Sequence, residues 1–456
     1  MISRRVFVGA SSTLALSTVA VAAQATSAAA LVPPDQAPVL APPATGDPDI
    51  DQVNILRTVR AAGGRLVLLQ SGTYAVRSLR LPDDSHIDLG GSVIEHLHPF
   101  EGSANGAAVR NNRFVQGNKN ISIANGTIRL GAGSRGRPIS FVGVEGLSIT
   151  DIKIEKGSAH FSDWMLYVRR SSHVEIVRCD ISGGTRLGED GIHIKASRFV
   201  AIKNCDVRAG DDAIAIVQDL SCERSTGDVT IADCTLSSAK AHLLRITVAA
   251  HEKHGIHRVS AVRIKGGGPK HARGLPIRIQ DYTRSGKVTR VRLQDVEVDS
   301  TNFPGSAVYI RSAAHVALSR ISIRECRGHT FDVENSTDVR FDECSASPSP
   351  KVINDAWRIA DSRDILLRRC LASGSTNTSY SVLGTETKRV VFEACTSTDA
   401  RAYGWSLASA KGITLSGCAA LRGEAAVFID RNLPPSHIKL SSNRWLDQRA
   451  RAVVKG

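Results

Sequence analysis

The chain has 456 residues, 42% of them hydrophobic and 22% charged, a balance that excludes wholesale disorder. Its 58 lysines and arginines against 44 acids give a formal charge of +14, which suits an acidic polymer, an anionic surface or a nucleic acid without choosing among them. Aromatic residues are only 5%, too few for a base-stacking surface, so no nucleic-acid partner is expected. Beyond the first thirty residues no uncharged apolar run is long enough to span a membrane.

Residues 3–8 read Ser-Arg-Arg-Val-Phe-Val, and a small-residue apolar stretch follows from Val8 to about Ala23. This resembles a bacterial twin-arginine export signal cleaved near Ala23-Gln24-Ala25, so residues 1–31 are expected to be a leader. The implied partner is the twin-arginine translocase, and the implied location is the periplasm or the medium, with no membrane association after cleavage. Removal of Arg4 and Arg5 leaves the mature chain at +12, still basic. Residues 32–48 contain Pro33, Pro34, Pro42, Pro43 and Pro48 without apolar periodicity and are expected to be a linker. Folded structure is then expected over 49–456 as a single domain and a monomer.

An amphipathic segment from Asp49 to Ala62, with Ile50, Val53, Leu56 and Val59 on one side, predicts a short helix. After it, one spacing recurs. Val174-x-Ile176-x-x-Cys179-x-Ile181 is matched at Val200/Ile202/Cys205/Val207 and at Val229/Ile231/Cys234/Leu236, with looser copies from Gly126 to Cys418. Eleven intervals over those 292 residues average about 26.5. Apolar residues alternate at period two inside each copy, which predicts strands. Strands at this interval with no helices between them cannot form βαβ units, and a stacked solenoid fits instead. The pattern resembles the right-handed parallel β-helix of the pectin-lyase-like superfamily: an all-β solenoid with a short N-terminal capping helix that covers its first open edge.

Seven of the nine cysteines (179, 205, 234, 344, 370, 395 and 418) share one inward position of the repeat. Rungs about 4.8 Å apart with parallel Cβ vectors suit packed thiols better than disulfides. Cys222 and Cys326 lie outside that ladder.

A second ladder carries the chemistry. Asp190-Gly-Ile192-His-Ile194, Asp212-Ala-Ile214-Ala-Ile216 and His242-Leu-Leu244-Arg-Ile246 share one local pattern, which stacks Asp190, Asp212 and His242 on successive coils. Asp163, Glu189 and Asp211 occupy the adjoining position. Carboxylates that close cannot all ionise freely, so at least one pKa should rise, as a general acid requires. The ordered segments Gly188-Glu189-Asp190, Gly210-Asp211-Asp212, Ala241-His242-Leu243 and Arg278-Ile279-Gln280 resemble the Asn-Thr-Asp, Gly-Asp-Asp, Gly-His-Gly and Arg-Ile-Lys motifs of polygalacturonase-type glycosidases (glycoside hydrolase family 28).

That resemblance implies an exported hydrolase of a polysaccharide or oligosaccharide, pectin-like or another acidic one. Asp211 would protonate the leaving oxygen, Asp190 and Asp212 would activate water, and His242 would hold the acid's hydrogen-bond network. Arg278 and Gln280 would contact substrate, together with Arg245, His193, Lys195, Glu189 and Asp163. The family inverts the anomeric carbon, which carboxyls separated by a water would explain. No cofactor and no metal are implied. The chain departs from the family at Gly188-Glu189, at Ala241 and Leu243, and at Gln280, where a lysine would help hold a uronate carboxylate.

Other readings stay open at this point. The aspartates could satisfy backbone N–H groups at coil corners. Asp163, Glu189, Asp190, Asp211 and Asp212 could hold calcium. A uronate lyase or epimerase, or a binding solenoid without catalysis, shares the same fold. Trp357, Tyr403 and Trp405 suit either packing or distal sugar contacts.

Overall fold

A computed structural model describes residues 37–455 apart from 98–105, 160, 270, 271, 273 and 352. The expected leader, residues 1–31, lies outside the described residues. The fold begins earlier than Asp49, which corrects the reading of 32–48 as a linker. Val39–Leu40 is a strand paired in parallel with Val67 and Leu68, and Ala41 beside it is fully buried. The Tyr74 hydroxyl donates to the Pro42 carbonyl at 3.0 Å, so this segment is part of the first coil.

The capping helix runs Pro48–Ala62. Asp47 caps it, its carboxylate accepting from the Asp49 and Ile50 amides, and Gly63 ends it in the left-handed region at φ 57°. Its buried face is Asp51, Ile55, Thr58, Val59 and Ala62, whereas Ile50 and Val53 point to solvent. The apolar stripe expected from Ile50 and Val53 is therefore displaced. Asp51 takes the core position because its carboxylate accepts from the amides of Thr45, Gly46 and Ala75 and from the Thr45 hydroxyl. A buried carboxylate so fully bonded costs little and pins the preceding segment to the helix.

The rest of the chain is a right-handed parallel β-solenoid of about 15 turns. Each coil contributes to three parallel ladders. The first stacks Val174 on Val200, Val229 and Val259; the second stacks Ile181 on Val207 and Leu236. The third stacks Leu166, Ile192, Ile214, Leu244 and Ile277. Between the first two ladders the chain bends at a residue with positive φ, such as Arg178, Asn204, Asp233 or Arg263. Arginine–aspartate pairs join many of these bends from coil to coil, including Arg178–Asp151 and Arg263–Asp233. Much of the basic charge therefore lies in exposed pairs, each worth about 1 kcal/mol or less.

All nine cysteines are buried free thiols. Cys179, Cys205 and Cys234 each point Sγ toward the carbonyl two residues earlier, as inward rungs of the core. Trp357 and Trp405 are packing residues. With Phe331 and Tyr380 they form one inward stack along the third ladder, ring centroids 4.7–5.1 Å apart. Among the described residues no helix is long and apolar enough to cross a membrane.

Candidate active site

The third ladder positions the site. Asp190 and Asp212 each stand two residues before a strand, Ile192–Lys195 and Ile214–Gln218, and those strands pair Ile192 with Ile214. Gly191 lets the coils close at this point: a Cβ there would lie 2.3 Å from Val207 Cγ1 and 2.6 Å from the Ala213 carbonyl oxygen. Each acid then takes the amide of the residue stacked on it. Asp190 Oδ1 accepts from Asp212 N at 3.1 Å, and Asp212 Oδ1 accepts from His242 N at 3.2 Å.

Asp211, the residue next to Asp212, joins them. One oxygen from each of Asp190, Asp211 and Asp212 lies within 4.8 Å of the other two. All three carboxyls are pushed up from 3.8 to about 6. Burial is the largest cause in each; for Asp211 and Asp212 a neighbouring carboxylate is the next. Their surroundings differ. Asp212 is fully buried and paired with Arg245 at 3.0 Å, and Asp190 Oδ2 lies 2.5 Å from His193 Nδ1. Asp211 is only partly buried: Oδ2 accepts from Gly188 N at 2.8 Å, and Oδ1 has no hydrogen-bond partner among the described residues. Of the three linked carboxyls, Asp211 is the one that is partly exposed and keeps an oxygen without a hydrogen-bond partner among the described residues.

Complete burial holds His193 well below its ordinary pKa, and its ring stacks on Trp164 at 4.0 Å. Asp190 is therefore bonded to an imidazole whose neutral form burial favours. Burial likewise lowers His242 to about 4. Its Nδ1 is 2.6 Å from the Leu275 carbonyl, so the expected side-chain link to Asp211 is replaced by a backbone bond to Asp212. Arg245, expected near substrate, is instead the cation of Asp212, with Nε on the Thr247 hydroxyl. Arg278 follows one rung later, stacked on Arg245, and its Nε donates to Gln280 Oε1 at 2.8 Å. Lys195 lies on the same strand as His193 and pairs with Asp219 at 2.5 Å.

Two expected members are turned aside. Glu189 is fully buried and bonded to Lys156 Nζ at 2.7 Å and Arg186 N at 2.8 Å. The space it fills exists because residue 184 is glycine, where a Cβ would come within 1.7 Å of its carboxylate. Asp163 pairs with Arg137 at 2.6 Å. Of the five acids a calcium site would draw on, only the three aspartates converge. The residues missed in sequence are Arg137, Trp164, Tyr167 and Arg169, which line the groove beside His193 and Lys195. Trp164, adjoining Asp163, was the one available signal.

A family model described as "Right handed beta helix region" matches residues 279–444. The N-terminal fragment of bacteriophage phi29 gene product 12 matches with a TM-score of 0.56 and 13% identity, over 91% of this chain and 71% of that one. The polygalacturonase from Erwinia carotovora matches with a TM-score of 0.46 and 12% identity, over 92% and 98%. PfbA, a surface adhesin of Streptococcus pneumoniae, matches with a TM-score of 0.48 and 12% identity, over 83% and 92%. The chain is a right-handed parallel β-helix. At these identities the neighbours speak to fold alone, and no curated protein matches the sequence.

Proposed function

We propose that the protein is an exported glycoside hydrolase acting as a monomer on a polysaccharide or oligosaccharide. The observation that carries this reading is the partly open Asp211 beside two buried carboxyls, all three pushed up to about 6. A partly exposed carboxylic acid that holds its proton up to about pH 6, with one oxygen unbonded among the described residues, suits protonation of a leaving glycosidic oxygen.

In this mechanism Asp211 gives its proton to the bridging oxygen as the bond to the anomeric carbon breaks. A water attacks that carbon and passes its proton to the Asp190–Asp212 pair. Arg245 keeps Asp212 ionised by partial neutralisation, and His193 orients Asp190. The three carboxyls converge, one oxygen of each lying within 4.8 Å of the others, so in this mechanism the water sits against the Asp190–Asp212 pair. The product anomer is expected to be inverted, and proton NMR of the first-formed sugar with retained configuration would remove this step.

Asp211→Asn tests the reading as a whole. Release of reducing ends from a panel of acidic and neutral polysaccharides should vanish while the circular dichroism of the coil is unchanged. A fully active variant would defeat it. A binding solenoid without catalysis is the second reading, favoured by the amide bonds that Asp190 and Asp212 accept from the next coil.

A further inference from the structure

Beside the carboxyls the groove deepens into a pocket of about 420 Å³, within the roughly 300–1,000 Å³ range of small-molecule sites. Its walls include Arg137, Trp164, Tyr167, Arg169 and Lys195. Two distant loops complete it. Arg170 donates to the Phe114 and Val115 carbonyls at 2.6 and 2.7 Å, and Arg169 donates to the Ser221 carbonyl and to Glu223. His193 links the pocket to the carboxyls, bonded to Asp190 and stacked on Trp164 of the pocket wall.

The charges around it do not cancel. Among the residues that line it and their ion-pair partners, Arg137, Arg169, Arg170 and Lys195 meet Asp163, Glu223 and Asp219, four cations against three carboxylates, one positive charge in excess. The anions are all tied to cations, with Asp219 held down to about 2, chiefly by Lys195 and Ser221 against the opposing effect of burial. Polar capacity is also unspent. Arg169 Nε and His193 Nε2 are buried without hydrogen-bond partners, and the Tyr167 hydroxyl has none among the described residues. Two aromatic rings, Trp164 and Tyr167, stand 4.6 Å apart in the same wall, with the Arg137 guanidinium over both at 4.3 and 4.5 Å and Lys195 Nζ over Trp164 at 4.8 Å, so the cations are held against the rings at the pocket.

We propose that this pocket, on the side of the carboxyls away from Arg278 and Gln280, seats one monosaccharide ring carrying a single negative group, a carboxylate or a sulfate ester. The word monosaccharide rests on the hydrolase reading above; the anion does not. One net positive charge matches one anionic group, and forked guanidinium donors match either oxyanion. Recognition of the acidic group of the ring seated here then falls to this pocket.

The test is binding, which needs no turnover. Mature protein is titrated with D-galacturonate, D-glucuronate and galactose 6-sulfate, with methyl β-galactoside as the neutral comparator, by calorimetry and tryptophan fluorescence. At least one anion is expected to bind 1:1 and about tenfold or more tighter than the neutral sugar, with affinity falling as salt rises. A uronate preference identifies the carboxylate and a sulfate preference the ester. Val115→Glu, on a side chain 77% exposed, places a like charge at the mouth without touching the core and should reduce the affinity about tenfold or more. Tyr167→Phe removes a hydroxyl unbonded in the free protein and should cost about two- to tenfold. Anions that bind no better than the neutral sugar, or affinity unchanged in Val115→Glu, would overturn the proposal. Anion binding by a wild-type protein that hydrolyses no polysaccharide of the panel would sink the hydrolase reading and leave the pocket standing.

Discussion

Asp190→Asn separates the electrostatic cost of the site from its chemistry. Asp190 is 3% exposed, and burial raises its carboxyl from 3.8 to about 6. The folded state therefore holds this proton more tightly than the unfolded chain does. That stabilisation is fully present below about pH 3.9 and is lost as pH rises through about 6. Two pKa units correspond to about 3 kcal/mol at pH 8, an upper value because the three carboxyls titrate together. The asparagine keeps an oxygen for the Asp212 amide and removes the ionisation. The variant should match the wild type near pH 4 and exceed it by up to about 3 kcal/mol at pH 8. With an unfolding entropy of about 2.1 cal/mol/K per residue, a chain of 456 residues has about 1 kcal/mol/K, so the gain is about 3 °C. Thermal midpoints at pH 4, 6 and 8 measure it. A difference between variant and wild type that does not change with pH would refute the reasoning.

Hydrolysis should follow a bell-shaped pH dependence. Loss of the Asp211 proton ends activity as pH rises through about 6, and protonation of the Asp190–Asp212 pair ends it as pH falls through a similar value. A rate still rising above pH 8 would contradict the acid role of Asp211. Gln280→Lys releases Arg278 from the Gln280 carbonyl and places a second cation beside it. Activity on galacturonan should rise several-fold in a reducing-end assay, and unchanged activity would remove the specificity argument.

The repeat made the solenoid legible because inward positions of a coil must be apolar whatever the neighbouring coil contains. The same periodicity brought Asp190, Asp212 and His242 onto adjacent rungs, since each precedes an identical alternation. Local pattern does not reveal which way a flanking side chain turns. Glu189 and Asp211 occupy equivalent positions in sequence, yet Gly184 opens a buried slot for Glu189 beside Lys156, while Asp211 stays at the groove. The capping helix misled for a related reason: its buried face includes Asp51, whose four donors come from residues 45, 46 and 75. The pocket was least legible. Arg170 reaches residues 114 and 115, and Arg169 reaches 221 and 223, contacts across more than fifty positions that no repeat specifies.

The most direct test of hydrolysis at the three carboxyls is mass spectrometry of products formed in ¹⁸O-water by the mature protein and by Asp211→Asn. Saturated fragments carrying one ¹⁸O at the new reducing end, absent with the variant, are the predicted result. Unsaturated fragments without ¹⁸O would show elimination and contradict the account, as would labelled fragments released equally by Asp211→Asn.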